Sequence, residues 1–313
     1  MTGKTSHIDR TSERGFVLVA VLWIIAALSA LAAIFAVYLS NSAQALALND
    51  AGVRAEALVS SSVELTAYQL SLAGDNARPF QGSFRYRLDN AEIGVSFVTE
   101  TARVDLNLAP KEMLANLMSG LGASQDDAAQ YADRIIGWRT TAKSDAVEDE
   151  VSLYRAAGLA YSPRQAPFAH VNELALVVGL PPALVDRALP FVTVFSGQPK
   201  VNALVAPPEV VAALPGMTPS GLKEFLRSRP ALPTDKAAIA TALGPAQAGA
   251  TIDKSNFFRV LIAVKFDNGR QTSSEVVIEL RGEEDPYRVL SWRDEVETAT
   301  GRARKLVGDS DDF

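Results

Sequence analysis

Four acidic side chains lie within six residues of one another in the chain, at Asp145, Glu148, Asp149 and Glu150. Paired carboxylates can act as a general acid and a general base when a substrate lies between them. No histidine or glycine-rich cofactor loop stands beside this cluster in the sequence, and nothing beside it suggests an activated nucleophile. The residues therefore form no catalytic constellation, and the protein is predicted not to be an enzyme.

The residue types that most often bind transition metals are scarce. The chain has no cysteine and two histidines, His7 and His170. Disulfides and cysteine metal sites are therefore excluded, and a histidine-rich zinc site or a histidine-based triad is disfavoured. His170 lies in PFAHVNELALVVGL, directly before a predicted helix, where a structural role at the surface is expected.

A third place where chemistry is expected is the bond between Gly15 and Phe16. The leader before it carries Lys4, Arg10 and Arg14, and residues 16–39 contain no charge. This apolar run is longer than the roughly 7–15 residues of a cleaved secretory signal, and it matches the roughly 20 residues that span a bilayer. The positive charges favour a cytoplasmic N-terminus. An uncleaved single-pass anchor is the simplest interpretation.

The apolar run continues into a helical pattern that becomes amphipathic. Between residues 40 and 72, apolar residues recur at spacings of three, four and seven. No proline interrupts residues 16–78. The pattern predicts one helix of roughly 55 residues, half in lipid and half packed on a water-soluble body.

Strand patterns follow this helix and return near the C-terminus. SFRYRL (83–88) and GVSFVTET (94–101) flank Asp89-Asn90, and FFRVLIAVKF (257–266) and TSSEVVIELR (272–281) flank Asp267-Asn268-Gly269. An Asn-Gly pair between β-rich runs is a strong hairpin signal. YRVLSW (287–292) predicts a last strand. About 150 residues of helical sequence separate the two groups, so the sheet is predicted to be interrupted by an inserted helical domain.

The insert contains an internal repeat. VDLNLAPKEMLANLMSGLG (104–122) is similar to VNALVAPPEVVAALPGM (201–217). In each copy a proline, Pro110 or Pro208, is predicted to begin a helix, and Gly120 or Gly216 is predicted to form the turn after it.

Both copies also resemble helix-hairpin-helix units, whose glycine turns can offer backbone N–H groups to phosphate. A membrane-anchored DNA-binding protein is therefore the alternative function. Charge argues against it, because residues 103–143 contain five basic and five acidic side chains and the whole chain has a formal charge of −6. Phosphate binding normally relies on a clustered basic face.

A family resemblance follows from these features. A short charged leader ending in Gly15, then Phe16 and a long half-membrane helix, resembles the type IV pilin-like pattern. Most such proteins carry Glu five residues into the mature chain, where this sequence has Ala20. With VDLNLAP, IIGWR, FAHVNELALVVGL, ALPFVTVF and YRVLSW in this order, the chain resembles the type II secretion minor pseudopilin K family over nearly its entire length.

The resemblance implies a fold and a set of partners. The implied fold is α+β: a pilin-like long N-terminal helix and a small antiparallel sheet, with a large inserted all-α domain. A prepilin peptidase would cleave between Gly15 and Phe16, and the new Phe16 amine would be methylated. The implied role is assembly of the pseudopilus tip for protein export, with minor pseudopilins I, J and H, the major pseudopilin, and contacts to the secretin or cargo. The protein would sit in the bacterial inner membrane, with its body in the periplasm.

Ala20 points to the tip of the filament. In pilin-like fibres the fifth-position Glu is thought to pair with the N-terminal amine of the preceding subunit. An unpaired carboxylate in hydrocarbon costs several kcal/mol. A tip subunit has no preceding subunit, so Ala20 is what its position would favour.

The resemblance also implies Ca²⁺ binding near the acidic loop, with Glu148, Asp149 and Glu150 as the matching ligands. Ca²⁺ takes about six to eight oxygen ligands. The acidic positions that usually follow the Trp are replaced here by residues 139–143, RTTAK, which removes ligands that the family has. A solvated acidic helix start, which favours the helix dipole, is the alternative interpretation.

The predicted organisation has six parts: a leader (1–15), a transmembrane half-helix (16–39), an amphipathic helix with the first strands (40–102), an inserted helical domain with two helix-hairpin-helix-like repeats (103–250), closing strands (251–293) and a flexible tail (294–313).

Overall fold

The computed structural model describes residues 11–140, 146–282 and 284–294; within these, the side chains of residues 11–16, 41–51, 75–76 and 146–149 lie outside the description. The chain divides into two compact units, Met1–Leu58 and Val59–Phe313.

The strands of the described residues lie mainly in two groups, before and after a mostly helical region. The helices are α1 (Thr11–Leu72), α2 (Gly74–Ala77), α3 (Lys111–Gly120), α4 (Gln125–Arg139), α5 (Ala146–Ala156), α6 (Pro182–Ala188), α7 (Pro208–Ala212), α8 (Pro219–Ser228) and α9 (Lys236–Leu243). The strands are β1 (Gln81–Leu88), β2 (Ala91–Thr99), β3 (Val104–Asp105), β4 (Val192–Thr193), β5 (Phe257–Phe266), β6 (Gln271–Leu280) and β7 (Tyr287–Asp294).

Helix α1 is continuous over 62 residues. It begins at Thr11, before the start predicted at Phe16. The absence of proline allows this length, because no residue removes a backbone donor or clashes with the preceding turn. The predicted long N-terminal helix is confirmed.

Five strands form one antiparallel sheet in the order β1-β2-β5-β6-β7. The two-residue connection Asp89-Asn90 joins β1 to β2, and Asp89 has a φ of 51°. Gly269, with a φ of 85°, lies in the turn between β5 and β6. These are the two predicted hairpins, and the α+β class is confirmed.

One face of the sheet carries a hydrophobic core that is separate from that of the residues between β2 and β5. In β2 the side chains of Ala91, Ile93, Val95 and Phe97 are buried while the intervening ones are more exposed, as expected for a half-buried strand. The Phe97 ring meets the Phe258 ring edge-to-face, with centroids 6.2 Å apart. In the last turns of α1, Val59, Val63, Ala67 and Leu70 are buried, and the Ser62 hydroxyl is 2.7 Å from that of Tyr86 on β1.

The residues between β2 and β5 (100–256), called the insert below, have a hydrophobic core of their own. It includes Leu117, Ile135, Tyr154, Leu174 and Phe225. The insert differs from the predicted all-α domain in one respect: β3 and β4 pair in parallel, Val104 with Val192 and Asp105 with Thr193. Two-residue strands carry no periodicity, so no sequence pattern could indicate them.

Helix starts in the insert are capped by the residues expected to do so. The Ser124 hydroxyl accepts a hydrogen bond from the Asp127 amide at 3.1 Å, and the Thr218 hydroxyl accepts one from the Gly221 amide at 3.1 Å. The Asp235 carboxylate accepts from the Ala237 and Ala238 amides. Each cap satisfies N–H groups that the first turn of a helix leaves without partners.

Candidate functional site

The first unit presents a long apolar surface. Val17–Ser40 is 24 residues long with a mean hydropathy of 2.8, and by length and composition alone it could cross a membrane. Trp23 is 73% exposed and Ile34 67%. Exposure of this surface to water is unfavourable, and the surface is suited to contact with lipid or with other apolar helices.

The predicted processing bond lies in α1, because Gly15 and Phe16 both have helical backbone. Their side chains lie outside the described residues, and cleavage there stays a prediction. Ala20, the position without the usual Glu, is half-buried on the same helix.

Of the three predicted calcium ligands, only Glu150 has a described side chain. Its Oε2 accepts a hydrogen bond from Arg134 at 3.2 Å, while its Oε1 is buried without a partner among the described residues. Burial raises the pKa of Glu150. The carboxyl packs against Gly137 of IIGWR, where a Cβ atom would lie 2.7 Å from the Glu150 carboxyl carbon.

These observations only partly fit a calcium site. The free oxygen of Glu150 can serve as one ligand, and Glu148 and Asp149, whose side chains lie outside the described residues, would have to supply others. Where side chains are described, no group of three or more His, Asp or Glu residues could hold a metal ion. Calcium binding therefore stays a prediction.

Several hydrogen bonds recur at matching positions in the two copies of the internal repeat. The Asp105 carboxylate accepts from the Asn107 amide at 2.8 Å, and the side-chain oxygen of Asn202, at the matching position, accepts from the Leu204 amide at 3.1 Å. Arg139 donates to the carbonyls of Leu106 and Ala109 at 2.6 and 2.8 Å. In the second copy, Arg229 donates to the matching carbonyls of Ala203 and Ala206 at 3.4 and 2.7 Å.

Two details of the predicted repeat are corrected. Gly120 is the last residue of α3, and the turn is made by Gly122 with a φ of 103°, as Gly216 makes it in the second copy with a φ of 78°. Pro208 is the first residue of α7, as predicted. The residue that matches Pro110 is nevertheless Pro207, because both precede the first residue of a helix and have similar backbone angles. Propensity alone does not distinguish neighbouring glycines or prolines, because the choice depends on where the hairpin must reverse.

The hairpin turns do not present a phosphate site of the kind that the DNA-binding alternative needs. The Gly122 and Ala123 amides donate to Ser119 and Met118, and the Met217 amide donates to Leu214. At Gly216 a Cβ atom would lie 3.3 Å from Pro245, so this turn faces the protein. Because these donors already have partners, they are not free to bind phosphate.

A buried ionic cluster joins the insert to the sheet. Glu100, which is fully buried, accepts two hydrogen bonds from Arg259 on β5, at 2.7 and 3.0 Å. Arg259 also donates to Glu275 on β6 at 2.5 Å, and Arg293 on β7 donates to the same Glu275 oxygen. Thr193 on β4 donates to Glu100. The cluster therefore connects three strands of the sheet to the parallel strand pair of the insert.

The charges in this cluster stabilise one another. Burial by itself would raise the pKa of Glu100, but the charge of Arg259 and its hydrogen bonds outweigh burial, and the pKa lies below its usual value of 4.5. Burial would likewise raise the pKa of Glu275, and Arg259 and Arg293 lower it. Both carboxyls are thus held ionised.

A second set of contacts, around Arg78, holds the point where the chain returns from the insert to the sheet. The Arg78 guanidinium donates to the Leu70 carbonyl of α1 at 3.3 Å and to the Asn256 side chain, directly before β5, at 2.6 Å. Lys254 donates to the Arg78 carbonyl at 2.6 Å and lies 4.1 Å from the centre of the Phe80 ring. Both connections between sheet and insert are therefore held by buried or half-buried cations.

Neither set of contacts was predicted from the sequence. The available signal was a charged residue directly before an apolar run in a strand: Arg259 before VLIAV and Glu275 before VVI. Pairing them with Glu100 required the register of β2 against β5 and of β5 against β6. His170, by contrast, lies where expected: its ring nitrogen accepts from the Asn172 amide at 3.1 Å and caps the short 3₁₀ helix Val171–Leu176.

Comparisons with known proteins add a family and a fold. Residues 96–197 match the family described as type II secretion system (T2SS), protein K. The fold is similar to that of a chain in the crystal structure of the GspK–GspI–GspJ complex from the type 2 secretion system of enterotoxigenic Escherichia coli. That similarity has a TM-score of 0.61 at 17% sequence identity and covers 78% of this chain and 96% of that chain. No curated protein sequence matches the chain.

Proposed function

We propose that the chain is a minor pseudopilin that starts pseudopilus assembly for protein export. The observation that carries the proposal is the match of residues 96–197 to the T2SS protein K family. This region begins within β2 and ends at residue 197, inside the insert. The sheet that contains β2 comes after a long helix with a membrane-length apolar segment.

The proposed partners are other pseudopilins. The structure with the similar fold is a complex of GspK, GspI and GspJ, which supports minor pseudopilins I and J as neighbours of this chain. Minor pseudopilin H and then the major pseudopilin would come next in the pseudopilus, further from its tip. The secretin and cargo are further proposed contacts. The apolar face of Val17–Ser40 would pack with their helices, where small residues such as Ala26, Ala27 and Ala30 favour close approach.

The proposed place is the tip of the filament, and the role is assembly without enzymatic chemistry. Ala20 supports this place, because a subunit with no predecessor has no amine to pair with a carboxylate inside the bilayer. The insert supports it too, since a bulky domain on one subunit is best accommodated at a fibre end. The chain would be anchored in the inner membrane with its body in the periplasm.

The experiment is to determine the N-terminus of the membrane-extracted protein by mass spectrometry, after expression with and without a prepilin peptidase. We expect a chain that starts at N-methylated Phe16 only when the peptidase is present. Gly15→Ala or a bulkier residue should block the cleavage. A chain that keeps Met1 in both strains would contradict the pseudopilin proposal and leave an ordinary anchored protein.

A second measurement tests the partners. The full chain, extracted in detergent, should co-purify with minor pseudopilins I and J of the same secretion system. If it bound DNA and neither pseudopilin, the helix-hairpin-helix alternative would replace the proposal.

A further inference from the structure

The two edges of the five-stranded sheet differ in regularity. Strand β1 pairs with β2 in one register over all eight residues. Strand β7 contains a bulge at Leu290, because Val277 faces Ser291 while Ile278 faces Val289. Bulges are one of the ways in which proteins protect a sheet edge from pairing with another chain. Strand β1 has neither a bulge nor a proline.

The open hydrogen-bonding groups of β1 follow from the two-residue turn. Because Leu88 and Ala91 flank it directly, they exchange hydrogen bonds, and so do the residues paired two positions further along each strand. The N–H and C=O groups of Gln81, Ser83, Arg85 and Arg87 therefore point away from β2. Among the described residues, no strand lies beyond β1.

The side chains of these four residues are exposed on the outer face of the sheet. Arg87 pairs with Asp267 at 2.7 Å. Arg85 is opposite Gly94, which has no side chain, and a Cβ atom placed there would meet no atom within 4 Å. Ser83 is opposite Ser96. The surface beside Arg85 is thus flat and open, and it offers a guanidinium that has no acidic residue directly opposite it in the strand pair.

We propose that the edge of β1 binds an extended segment of a neighbouring pilin-like protein, which joins the sheet as a further strand and places an acidic side chain beside Arg85. Strand addition obtains its affinity from main-chain hydrogen bonds and its specificity from alternate side chains. This inference rests on the proposed function, because it assigns a surface to a partner of the same assembly.

The charge of β1 indicates which kind of segment can pair with its edge. The charges of β1 are two arginines and no acid, in a chain whose net charge is −6. A second copy of β1 would bring two more arginines to the same short edge, which like-charge repulsion disfavours. An acidic, β-forming segment instead satisfies both the open backbone groups and the Arg85 guanidinium.

The test measures the affinity of the full-length chain in detergent for the purified pair of minor pseudopilins I and J. Arg85→Glu reverses the charge at position 85, and Ser83→Pro removes one outward N–H without breaking a bond to β2. Arg288→Glu, an exposed arginine on the bulged edge strand β7, is the matched control. We expect both β1 variants to weaken binding about tenfold or more and the control to change it by less than about twofold.

Hydrogen exchange gives a second readout that a simple surface contact would not produce. On binding, the amides of Ser83, Arg85 and Arg87 should become protected, while those of Phe84 and Tyr86, already bonded to β2, should change little. Equal protection of both sets, or protection of neither, would overturn strand addition.

The outcomes separate the two proposals. If the unaltered chain fails to bind minor pseudopilins I and J, the proposed function fails, and this inference fails with it. If it binds and the β1 variants bind equally well, the edge is not the docking site while the function stands. If Ser83, Arg85 and Arg87 exchange slowly in the isolated chain and quickly after residues 295–313 are deleted, the chain's own tail covers the edge, which also overturns the proposal.

Discussion

At the scale of single residues, positions 20 and 150 differ in whether the surroundings tolerate a carboxylate. In the apolar segment, position 20 has no charged residue near it in sequence, and a Glu there would lose its hydration without gaining a partner. At position 150 a carboxylate is present, paired on one oxygen by Arg134 and, among the described residues, without a partner on the other. Each predicts a distinct response to substitution.

Ala20→Glu should impair assembly. A tip subunit offers no preceding amine to this carboxylate, so the substituted helix should insert and pack poorly. The measurements are the fraction of an exported protein found outside the cells and co-purification with minor pseudopilins I and J. Ala20→Leu, which keeps the position apolar, should retain both. Full secretion and unchanged partner binding in Ala20→Glu would argue against the tip position.

Calcium, if it binds, should stabilise the folded chain. A ligand that binds only the native state raises the midpoint of thermal unfolding with its concentration. We expect millimolar Ca²⁺ to raise the midpoint, chelator to reverse the rise, and Glu150→Gln to reduce it. Glu112→Gln, at an exposed position on α3, is the control. Equal midpoints with calcium and with chelator would remove the metal prediction.

At the scale of elements, the joint between sheet and insert is the distinctive feature. The chain leaves the sheet after β2 and returns before β5, two strands that pair directly. An insert at such a point can change orientation unless both connections are held. Glu100 and Arg259 hold the first, and Arg78 holds the second. Within the insert, Arg139 and Arg229 hold the two repeats in a similar way, because each donates hydrogen bonds to backbone carbonyls of its repeat.

Glu100→Gln should destabilise the second unit strongly. The substitution leaves Arg259 buried with only part of its counter-charge, and breaking one partner of a buried ion pair costs about 3–5 kcal/mol. Chemical denaturation of the purified chain measures the free energy of unfolding. Glu92→Gln, exposed on β2, should change it by less than about 0.5 kcal/mol. Equal stabilities for the two variants would mean that the cluster contributes little.

At the scale of the whole molecule, the buried carboxyls set how stability depends on pH. Glu100 and Glu275 have lowered pKa values, so the unfolded state binds their protons more tightly than the native state does. Asp105 and Glu150 have pKa values raised by burial, so the native state binds their protons more tightly. The two pairs act in opposite directions.

The free energy of unfolding should therefore pass through a maximum in mild acid. As pH falls, the native state takes up protons on Asp105 and Glu150 above their usual pKa values of 3.8 and 4.5, and this protonation should stabilise the fold. Below the usual Glu value of 4.5, protonation of Glu100 and Glu275 should destabilise it. Urea titrations at a series of pH values measure this profile. Glu100→Gln should weaken its acid limb, and an unchanged limb in this variant would assign the loss to other carboxyls.

Local patterns in the sequence determined most of the elements. The long helix, the two hairpins and the last strand depend on periodicity and turn residues within a few positions of one another, which is why they could be predicted. The internal repeat was also visible, since its two copies share apolar spacing and an Ala-Pro pair. The cleavage bond predicted at Gly15 and the anchor length likewise depend only on consecutive residues.

The tertiary structure alone decided which distant residues meet. Glu100 and Arg259 are 159 positions apart, and their contact requires the register of β2, β5 and β6 as well as the course of the insert. The tertiary structure also decided that Gly122, and not Gly120, forms the turn after α3. It decided that β1 is an edge strand, because this depends on the order of the strands in the sheet. Side-chain pairing of this kind is a property of packing, which no local pattern encodes.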